Sequence, residues 1–206
     1  DKLMQDALLP DPAARKKLYT AIYDDTNWLM NMTENLLVAT HLETDRESFK
    51  MRPERIEDLF RRAVAQLDRR AAEHHISVHL DDAALMAAMN ARLIERVIIN
   101  IMNNAMQYTP KGSNIELHGM KKGNTVEIRV TDDGPGISDD AKRHLFDLFY
   151  TARQEKADCQ RGLGLGLNLC QSIVAMHGGK IDVLDHVPNG TAFQFALPLV
   201  SPEAGR

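Results

Sequence analysis

The stretch Asn100-Ile101-Met102-Asn103-Asn104-Ala105 decides how the rest of the chain is interpreted. Asn100 and Asn104 lie four residues apart in an apolar run, so both amides project from one face of a predicted helix. Amide oxygens are hard neutral ligands that suit Mg²⁺, which usually keeps several waters and binds substrate phosphates. The alternative is that these asparagines only cap or cross-link backbone groups of the core. We favour a polar site on this helix, with Asn103 as a further candidate.

A second motif, Asp132-Asp133-Gly134-Pro135-Gly136, follows a predicted strand. A carboxylate at the end of a strand can accept a hydrogen bond from an exocyclic amine such as the adenine N6. Neighbouring glycines let the backbone approach a ring closely or turn with positive φ. An ordinary Asp-Gly turn would show the same residues.

The third motif, Gly162-Leu163-Gly164-Leu165-Gly166-Leu167, opens a predicted helix, whose free N–H groups can bind phosphate oxygens. It is neither a dinucleotide-binding fingerprint nor a P-loop, because the required acid and the Gly-Lys-Ser/Thr are missing. The polar segment before it, residues 151–161, is predicted to be a mobile lid or simply a disordered loop. Lys142, Arg153 and Arg161 are candidates for phosphate contacts or for solvated surface charge.

Gly190-Thr191 begins the last predicted strand and either closes the site or forms a hairpin. Each motif alone is weak, because short glycine patterns recur by chance. All four in this order indicate a nucleotide site.

The N-terminal part predicts one long helix, with Asp11 as its N-cap and Pro12 in its first turn. A seam at spacings of four and three continues without Gly or Pro before Thr44. The seam consists of Leu18, Ile22, Asp25, Leu29, Met32, Leu36 and Ala39. We expect this helix to pack in an intermolecular bundle, the alternative being an amphipathic helix packed on its own domain. The resulting domains are 1–45, 46–200 and a tail at 201–206.

The second domain predicts mixed helices and antiparallel strands, which is typical of a two-layer α+β sandwich. Helices are predicted at 53–74, 91–108, 139–145 and 166–177. Strands are predicted at 48–51, 76–80, 85–89, 114–121, 125–131, 180–185 and 191–198. The predicted strands 114–121 and 125–131 are joined by Lys122-Gly123-Asn124, which is a hairpin signal.

Composition restricts the class of protein. The chain has 206 residues, 44% of them hydrophobic and 26% charged, as in ordinary globular proteins. A net charge of −4 disfavours general nucleic-acid binding. No apolar run approaches the ~20 residues of a membrane span, and two cysteines make no disulfide framework. Because the chain begins at Asp1 rather than Met, we expect it to be part of a longer protein.

The four motifs resemble the boxes of the catalytic ATP-binding domain of sensor histidine kinases. That domain belongs to the histidine-kinase/gyrase/Hsp90 ATPase superfamily, and the resemblance covers residues 48–199. The stretch 95–110 resembles the N box, 132–137 the G1 box, 145–150 the F box and 162–167 the G2 box. The first 45 residues resemble a remnant of the family's dimerisation and phosphoacceptor bundle, and the predicted long helix resembles the second helix of that bundle. Residues 46–51 and 171–179 are similar to those of KdpD-type potassium-responsive sensors.

The resemblance implies an autokinase that binds Mg²⁺-ATP and passes the γ-phosphate to a histidine and then to a response regulator. It implies Asn104 as the Mg²⁺ ligand and Asn100, Asn103 and Asn104 as catalytic residues. The implied nucleotide-binding residues are Asn104, Gln107, Tyr108, Asp132, Gly134, Gly136, Ile137, Arg161, Gly162, Leu163, Gly164, Leu165, Gly166, Leu167 and Thr191. It also implies a homodimer on the cytoplasmic side of the inner membrane, attached only through missing upstream segments. His177 is expected to be structural.

Three departures from the family pattern leave alternatives open. None of the eight histidines stands in the acceptor pattern, so this chain alone is not expected to phosphorylate itself. Asn103 replaces a usual acid and Gln107 a usual cation, which would suit a non-catalytic nucleotide-binding scaffold. Asn100 stands where the ATP-hydrolysing relatives place a water-activating Glu, which disfavours an ATP-hydrolysing clamp.

Overall fold

The computed structural model describes residues 11–23, 26, 29, 33, 49–67, 69–148, 150 and 166–200. The described residues belong to two compact units, the first containing those up to residue 33 and the second those from residue 49 onward. None of the helices in these described ranges combines the length and apolar composition that a bilayer span needs.

The first unit contains helix α1, which covers residues 12–23 and includes residues 26, 29 and 33. Asp11 is its N-cap, as predicted, because Oδ1 of Asp11 accepts the N–H of Ala13 at 3.0 Å. Several of its apolar side chains are exposed, with Tyr19 and Leu29 each 52% accessible, whereas Leu18 is half-buried. Four seam positions, Asp25, Met32, Leu36 and Ala39, lie outside the described residues.

The second unit is built on a sheet of five strands, which are β2 (His75–Leu80), β4 (Asn114–Lys122), β5 (Thr125–Asp132), β6 (Ile181–Asp185) and β7 (Thr191–Pro198). Their order in the sheet is β2-β4-β5-β7-β6. The predicted hairpin is confirmed, because Lys122 of β4 pairs with Thr125 of β5 across a two-residue loop. The sheet is mixed rather than antiparallel throughout, since β2 runs parallel to β4.

The helices of this unit are α2 (Ile56–Ala65), α3 (Ala91–Tyr108), α4 (Asp139–His144) and α5 (Gly166–Met176). Helices α3 and α5 pack on strands of the sheet, and α2 packs on α3. The core between the layers is aliphatic and includes Phe60, Ile94, Ile98, Ile101, Leu117, Ile128, Ile173 and Phe195. The predicted two-layer α+β architecture is therefore confirmed.

Two predictions around residue 53 are wrong. The predicted strand at 48–51 is displaced, because the actual strand β1 is Arg52–Arg55 and pairs antiparallel with β3 (Met86–Met89). The predicted helix 53–74 begins only at Ile56 and ends at Ala65, followed by a 3₁₀ turn at Arg69–Glu73. The apolar stripe of α2 ends at Ala63, so continuing the helix would bury little more.

Candidate functional site

Helix α3 supplies the amides of the candidate site. The side chain of Asn90 caps its first turn by accepting the N–H of Leu93 at 3.3 Å. The helix ends at Tyr108 because Thr109 precedes Pro110 and adopts an extended conformation. One side of α3 is fully buried, whereas Asn100, Asn103 and Asn104 are only half-buried beside it.

Helices α3 and α5 run antiparallel in a defined register. The N–H of Asn90 donates to Nε2 of His177 at 3.0 Å. Two turns further along α3, the thiol of Cys170 donates to the carbonyl of Val97 at 3.8 Å. Beyond that, a Cβ at position 166 would lie 3.9 Å from Cγ of Asn100. This register places the Asn100 amide beside the first residue of α5, where a helix N-terminus offers free N–H groups.

One amide atom in this region, Oδ1 of Asn103, is buried without a hydrogen-bond partner among the described residues. The buried Nδ2 of Asn100 lies beside the thiol of Cys170. A buried polar atom left unpaired costs ~1–3 kcal/mol, so a water, an ion or a ligand that donates to or coordinates the Oδ1 of Asn103 would be stabilised here. Burial raises the pKa of the Cys170 thiol to about 12, although a hydrogen bond from the side chain of Asn100 partly opposes this shift. A buried thiol of this kind is protonated and is a poor nucleophile.

The donor set also fits a Mg²⁺ ion that is held largely by substrate. No group of three His, Cys, Asp or Glu side chains in the described ranges could hold a metal ion. What α3 offers instead are neutral amide oxygens, including Asn104 one turn beyond Asn100. Amide oxygens together with phosphates and water suit Mg²⁺.

Asp132 stands at the end of β5 between Ile115 of β4 and Thr191 of β7. It is 8% exposed, and its Oδ1 accepts the N–H of Gly134 at 3.0 Å. Burial raises the pKa of this carboxyl, although N–H groups of Gly134 and Thr191 partly offset the effect. The remaining acceptor capacity of this carboxylate suits an amine donor.

The adjacent Asp133 has a different environment. Its two oxygens accept from the backbone N–H and the side-chain amide of Asn114, at 2.9 and 2.6 Å. Burial alone would raise the pKa of Asp133, but the hydrogen bonds from Asn114 and Ser113 bring it below its ordinary value. Asp133 therefore fastens the loop to β4, whereas Asp132 is the carboxylate available to a ligand.

The loop after Asp132 folds back on the end of α3. A Cβ at Gly134 would lie 2.6 Å from Cγ2 of Thr109 and 2.8 Å from Oδ1 of Asp132, so a larger residue there would displace these side chains. Gly136 has φ of +75° and lies next to the carbonyl of Gly190. The predicted residues Asp132, Gly134, Gly136 and Thr191 are thus brought together. Thr109 completes this cluster, a position that no spacing or glycine motif in the sequence indicated.

The other predicted residues divide into two groups. Gln107, Ile137, Gly166 and Leu167 are half-buried, and Tyr108 is 42% exposed at the end of α3. Outside the described residues lie Arg153 and the predicted site residues Arg161, Gly162, Leu163, Gly164 and Leu165.

Lys142 and Asn168 both have structural partners. The ammonium of Lys142 binds Asp185 at 2.7 Å and Asp139 at 3.1 Å, so its charge is already paired on the surface. Asn168 in the first turn of α5 donates to the carbonyl of Phe146 at 2.9 Å. The bond from Asn168 connects the stretch that resembles the F box to α5. No sequence pattern indicated this contact.

The sequence profile of the family described as "Histidine kinase-, DNA gyrase B-, and HSP90-like ATPase" matches residues 89–201. This range contains α3, the Asp132 loop and α5, and it covers more than half of the chain. The chain belongs to this family. Membership of this ATPase family implies that the domain binds ATP. The superfamily resemblance inferred from the four boxes is confirmed.

Two sensor proteins are similar over nearly the whole chain. The sensor protein KdpD of Clostridium acetobutylicum is 36% identical over 196 residues, which is 95% of this chain and 22% of the relative. The sensor histidine kinase TmoS of Ectopseudomonas mendocina is 29% identical over 91% of this chain and 19% of its own length. The chain therefore spans about a fifth of these relatives. The expected similarity to KdpD-type sensors is confirmed.

Solved structures show the same fold. The nucleotide-free catalytic domain of histidine kinase ThkA is 26% identical, with a TM-score of 0.63 over 72% of this chain and 97% of that one. The complex of ThkA with the response regulator protein TrrA gives a TM-score of 0.72 at 22% identity, covering 98% of this chain and 56% of that one. Full-length ShkA in complex with AMPPNP gives 0.72 at 23% identity, over 90% and 39%.

Proposed function

We propose that this chain is the catalytic ATP-binding core of a two-component sensor histidine kinase. The observation that supports this function best is the pair of clusters at the two ends of one helical segment. Asn100 meets the start of α5, and Thr109 meets the Asp132 loop. Asn100 and Thr109 are nine positions apart, which corresponds to about 13 Å along the helix axis. That length suits a nucleoside triphosphate lying along α3 from its base to its last phosphate.

In this proposal each cluster of the chain binds one end of ATP. Asp132 accepts a hydrogen bond from the adenine amine, and Thr191 and Gly134 hold that carboxylate in place. The first turn of α5 donates N–H groups to phosphate oxygens. Asn104 would hold Mg²⁺, with Asn100 and Asn103 beside it. When bound, Mg²⁺ supplies positive charge that neutralises the phosphates.

The acceptor and the partners lie outside this chain in the proposal. The γ-phosphate passes to a histidine on a helical bundle and from there to a response regulator. Residues 1–45 are assigned to that bundle because several apolar side chains of α1 are exposed within this chain, among them Tyr19, Ile22 and Leu29. Two such helices would bury these side chains in a homodimer on the cytoplasmic side of the membrane. The names of KdpD and TmoS and the ThkA–TrrA complex favour this assignment.

A nucleotide-binding scaffold without phosphotransfer is the second candidate. It is favoured by Asn103, whose Oδ1 is buried without a partner among the described residues where many histidine kinases have an acid. The neutral Gln107, which replaces a usual cation, also favours the scaffold. An ATP-hydrolysing clamp is disfavoured because Asn100 cannot act as a general base.

The test is a transfer assay with ATP radiolabelled at the γ-phosphate. A longer version of the protein that includes the preceding bundle helix would be the acceptor, and Asn104→Ala the matched inactive variant. Acid-labile, base-stable label on the acceptor supports the kinase. Steady release of ADP by this chain alone would indicate the clamp, and nucleotide binding with neither product the scaffold.

A further inference from the structure

We propose that His177 is a positioning residue that sets the placement of α3 against α5 and links this placement to the segment that enters the second unit. This inference rests on the proposed function, because α3 and α5 carry the groups assigned to ATP. His177 itself lies at the far end of α5, away from those groups.

The contacts of the His177 ring define its chemical form. The ring is 2% exposed, with Nδ1 2.8 Å from the carbonyl of Ile173 and Nε2 3.0 Å from the backbone nitrogen of Asn90. A carbonyl can only accept and a backbone N–H can only donate. Nδ1 must therefore carry the proton and Nε2 must be the acceptor, which is a neutral imidazole with one tautomer. Both polar atoms of the ring are satisfied.

The bond to Asn90 fixes one end of the register between the helices. Asn90 pairs with His177, Val97 with Cys170, and Asn100 lies against Gly166. The middle tie is a weak thiol bond and the last is only van der Waals contact. At 3.0 Å, the bond from Asn90 to the imidazole is shorter than the 3.8 Å thiol bond, and it lies at the opposite end of the helix pair from Asn100. A shift of α3 along α5 would move Asn100 and Asn104 relative to the first turn of α5.

A third contact connects this ring to the chain that arrives from the first unit. The ring of Phe49 meets the ring of His177 edge to face, with centroids 4.8 Å apart and an interplanar angle of 82°. Phe49 lies between the boundary of the units at Thr44 and Asp45 and the first strand at Arg52. Movement of this entering segment would therefore act on the same side chain that holds the register.

Three substitutions of His177 separate the two polar contacts. In His177→Gln the amide oxygen reaches the position of Nε2 and still accepts from Asn90. In His177→Asn the shorter amide reaches only the position of Nδ1 and keeps the bond to Ile173. His177→Phe keeps the ring for Phe49 and removes both bonds. His75→Gln, on the exposed edge strand β2, is the matched control.

The measurement is the Kd of Mg²⁺-AMPPNP for each folded variant, with thermal melting as the check of folding. Loss of the Asn90 bond should weaken binding about tenfold in His177→Asn and His177→Phe, whereas His177→Gln stays within about threefold of the wild type. Equal affinity of the Gln and Asn variants would overturn the proposal. A wild-type chain that binds no AMPPNP would instead refute the proposed function, and this inference with it.

Substitutions of Phe49 provide a second test if the histidine variants do not fold. Phe49→Ala removes the ring contact and leaves both imidazole bonds, and Phe49→Tyr retains an aromatic ring. We expect Phe49→Ala to weaken AMPPNP binding about threefold and Phe49→Tyr to leave it unchanged. Unchanged affinity in Phe49→Ala would show that the entering segment is not coupled to the site.

Discussion

Gly190 lies against the backbone of Asp132 so closely that a Cβ at position 190 would overlap the carbonyl oxygen of Asp132. Gly190 also has φ of +125°, which side chains other than glycine's rarely adopt. Its own carbonyl lies next to Gly136 in the loop that follows Asp132. Gly190, directly before β7, therefore determines how closely β7 approaches the Asp132 loop at the proposed adenine end of the site.

Gly190→Ala is expected to lower the free energy of unfolding by at least about 2 kcal/mol, because overlap and backbone strain act together. Urea unfolding would measure the loss. Gly112→Ala is the control, since Gly112 has φ of +84° but nothing within 4 Å of a Cβ, and it should cost only about 1 kcal/mol. Equal losses of unfolding free energy in the two variants would mean that the close approach of Gly190 to Asp132 does not add to the cost of a side chain.

Asp132→Asn should weaken ATP binding without weakening the fold. The raised pKa of Asp132 means that the folded state disfavours its ionised form. The stabilising contribution of this group is complete below its unfolded pKa and is lost as pH rises through the folded pKa. At pH 7 the neutral amide therefore removes a penalty, and stability should stay the same or rise. Binding should weaken about 10- to 100-fold, as for a lost hydrogen bond to a charged group.

Asp133→Asn is the matched variant with the opposite result. The pKa of Asp133 is lowered by its bonds to Asn114, so its contribution to stability is present above its unfolded pKa and lost as pH falls through its folded pKa. The amide should lower stability slightly at pH 7 and leave ATP affinity unchanged. Calorimetric titration and thermal melting of both variants provide the comparison. An affinity loss in Asp133→Asn equal to that in Asp132→Asn would contradict these roles.

Asn103→Leu should stabilise the ligand-free protein. Oδ1 of Asn103 is buried without a partner in the described part of the chain, and an apolar side chain of similar volume removes that cost. The gain should be about 1 kcal/mol or more, measured by urea unfolding without nucleotide. Phosphotransfer should fall at the same time. A destabilised Leu variant would show that the amide is satisfied in solution.

Stability should decline below pH 6.5 through His177. Burial lowers the pKa of His177 from its ordinary 6.5, so the unfolded chain takes up this proton first. Stability is therefore complete above pH 6.5 and is lost as the pH falls from there towards the folded pKa, by at most about 1.4 kcal/mol per pH unit. Subtracting the profile of His177→Gln from that of the wild type isolates this effect. Parallel profiles would count against it.

The sequence predicted the elements whose signals are local. Helix α3 was predicted with its true limits because Asn90 and Pro110 bracket a strong apolar period, and Gly123 marked the hairpin between β4 and β5. The strand β1 was misplaced because its pairing with β3 spans more than thirty residues. No local pattern encodes such a pairing.

The same difference between local and long-range signals explains which residues of the candidate site were predicted. Asp132, Gly134 and the asparagines of α3 were found because motif spacing marks them. Thr109 was missed because its role is to fill the space beside a glycine that is 25 residues away in the sequence. Asn168 was missed for a similar reason, since its bond to Phe146 joins two elements that only the fold brings together.

The central claim is most directly tested by titrating this chain with AMPPNP, with and without Mg²⁺, beside Asn104→Ala. We predict saturable binding that Mg²⁺ strengthens in the wild type, and binding in Asn104→Ala that Mg²⁺ no longer strengthens. Absence of binding at millimolar AMPPNP would contradict the claim that α3 and α5 form an ATP site. An Asn104→Ala variant with the full Mg²⁺ effect would contradict the assignment of the metal.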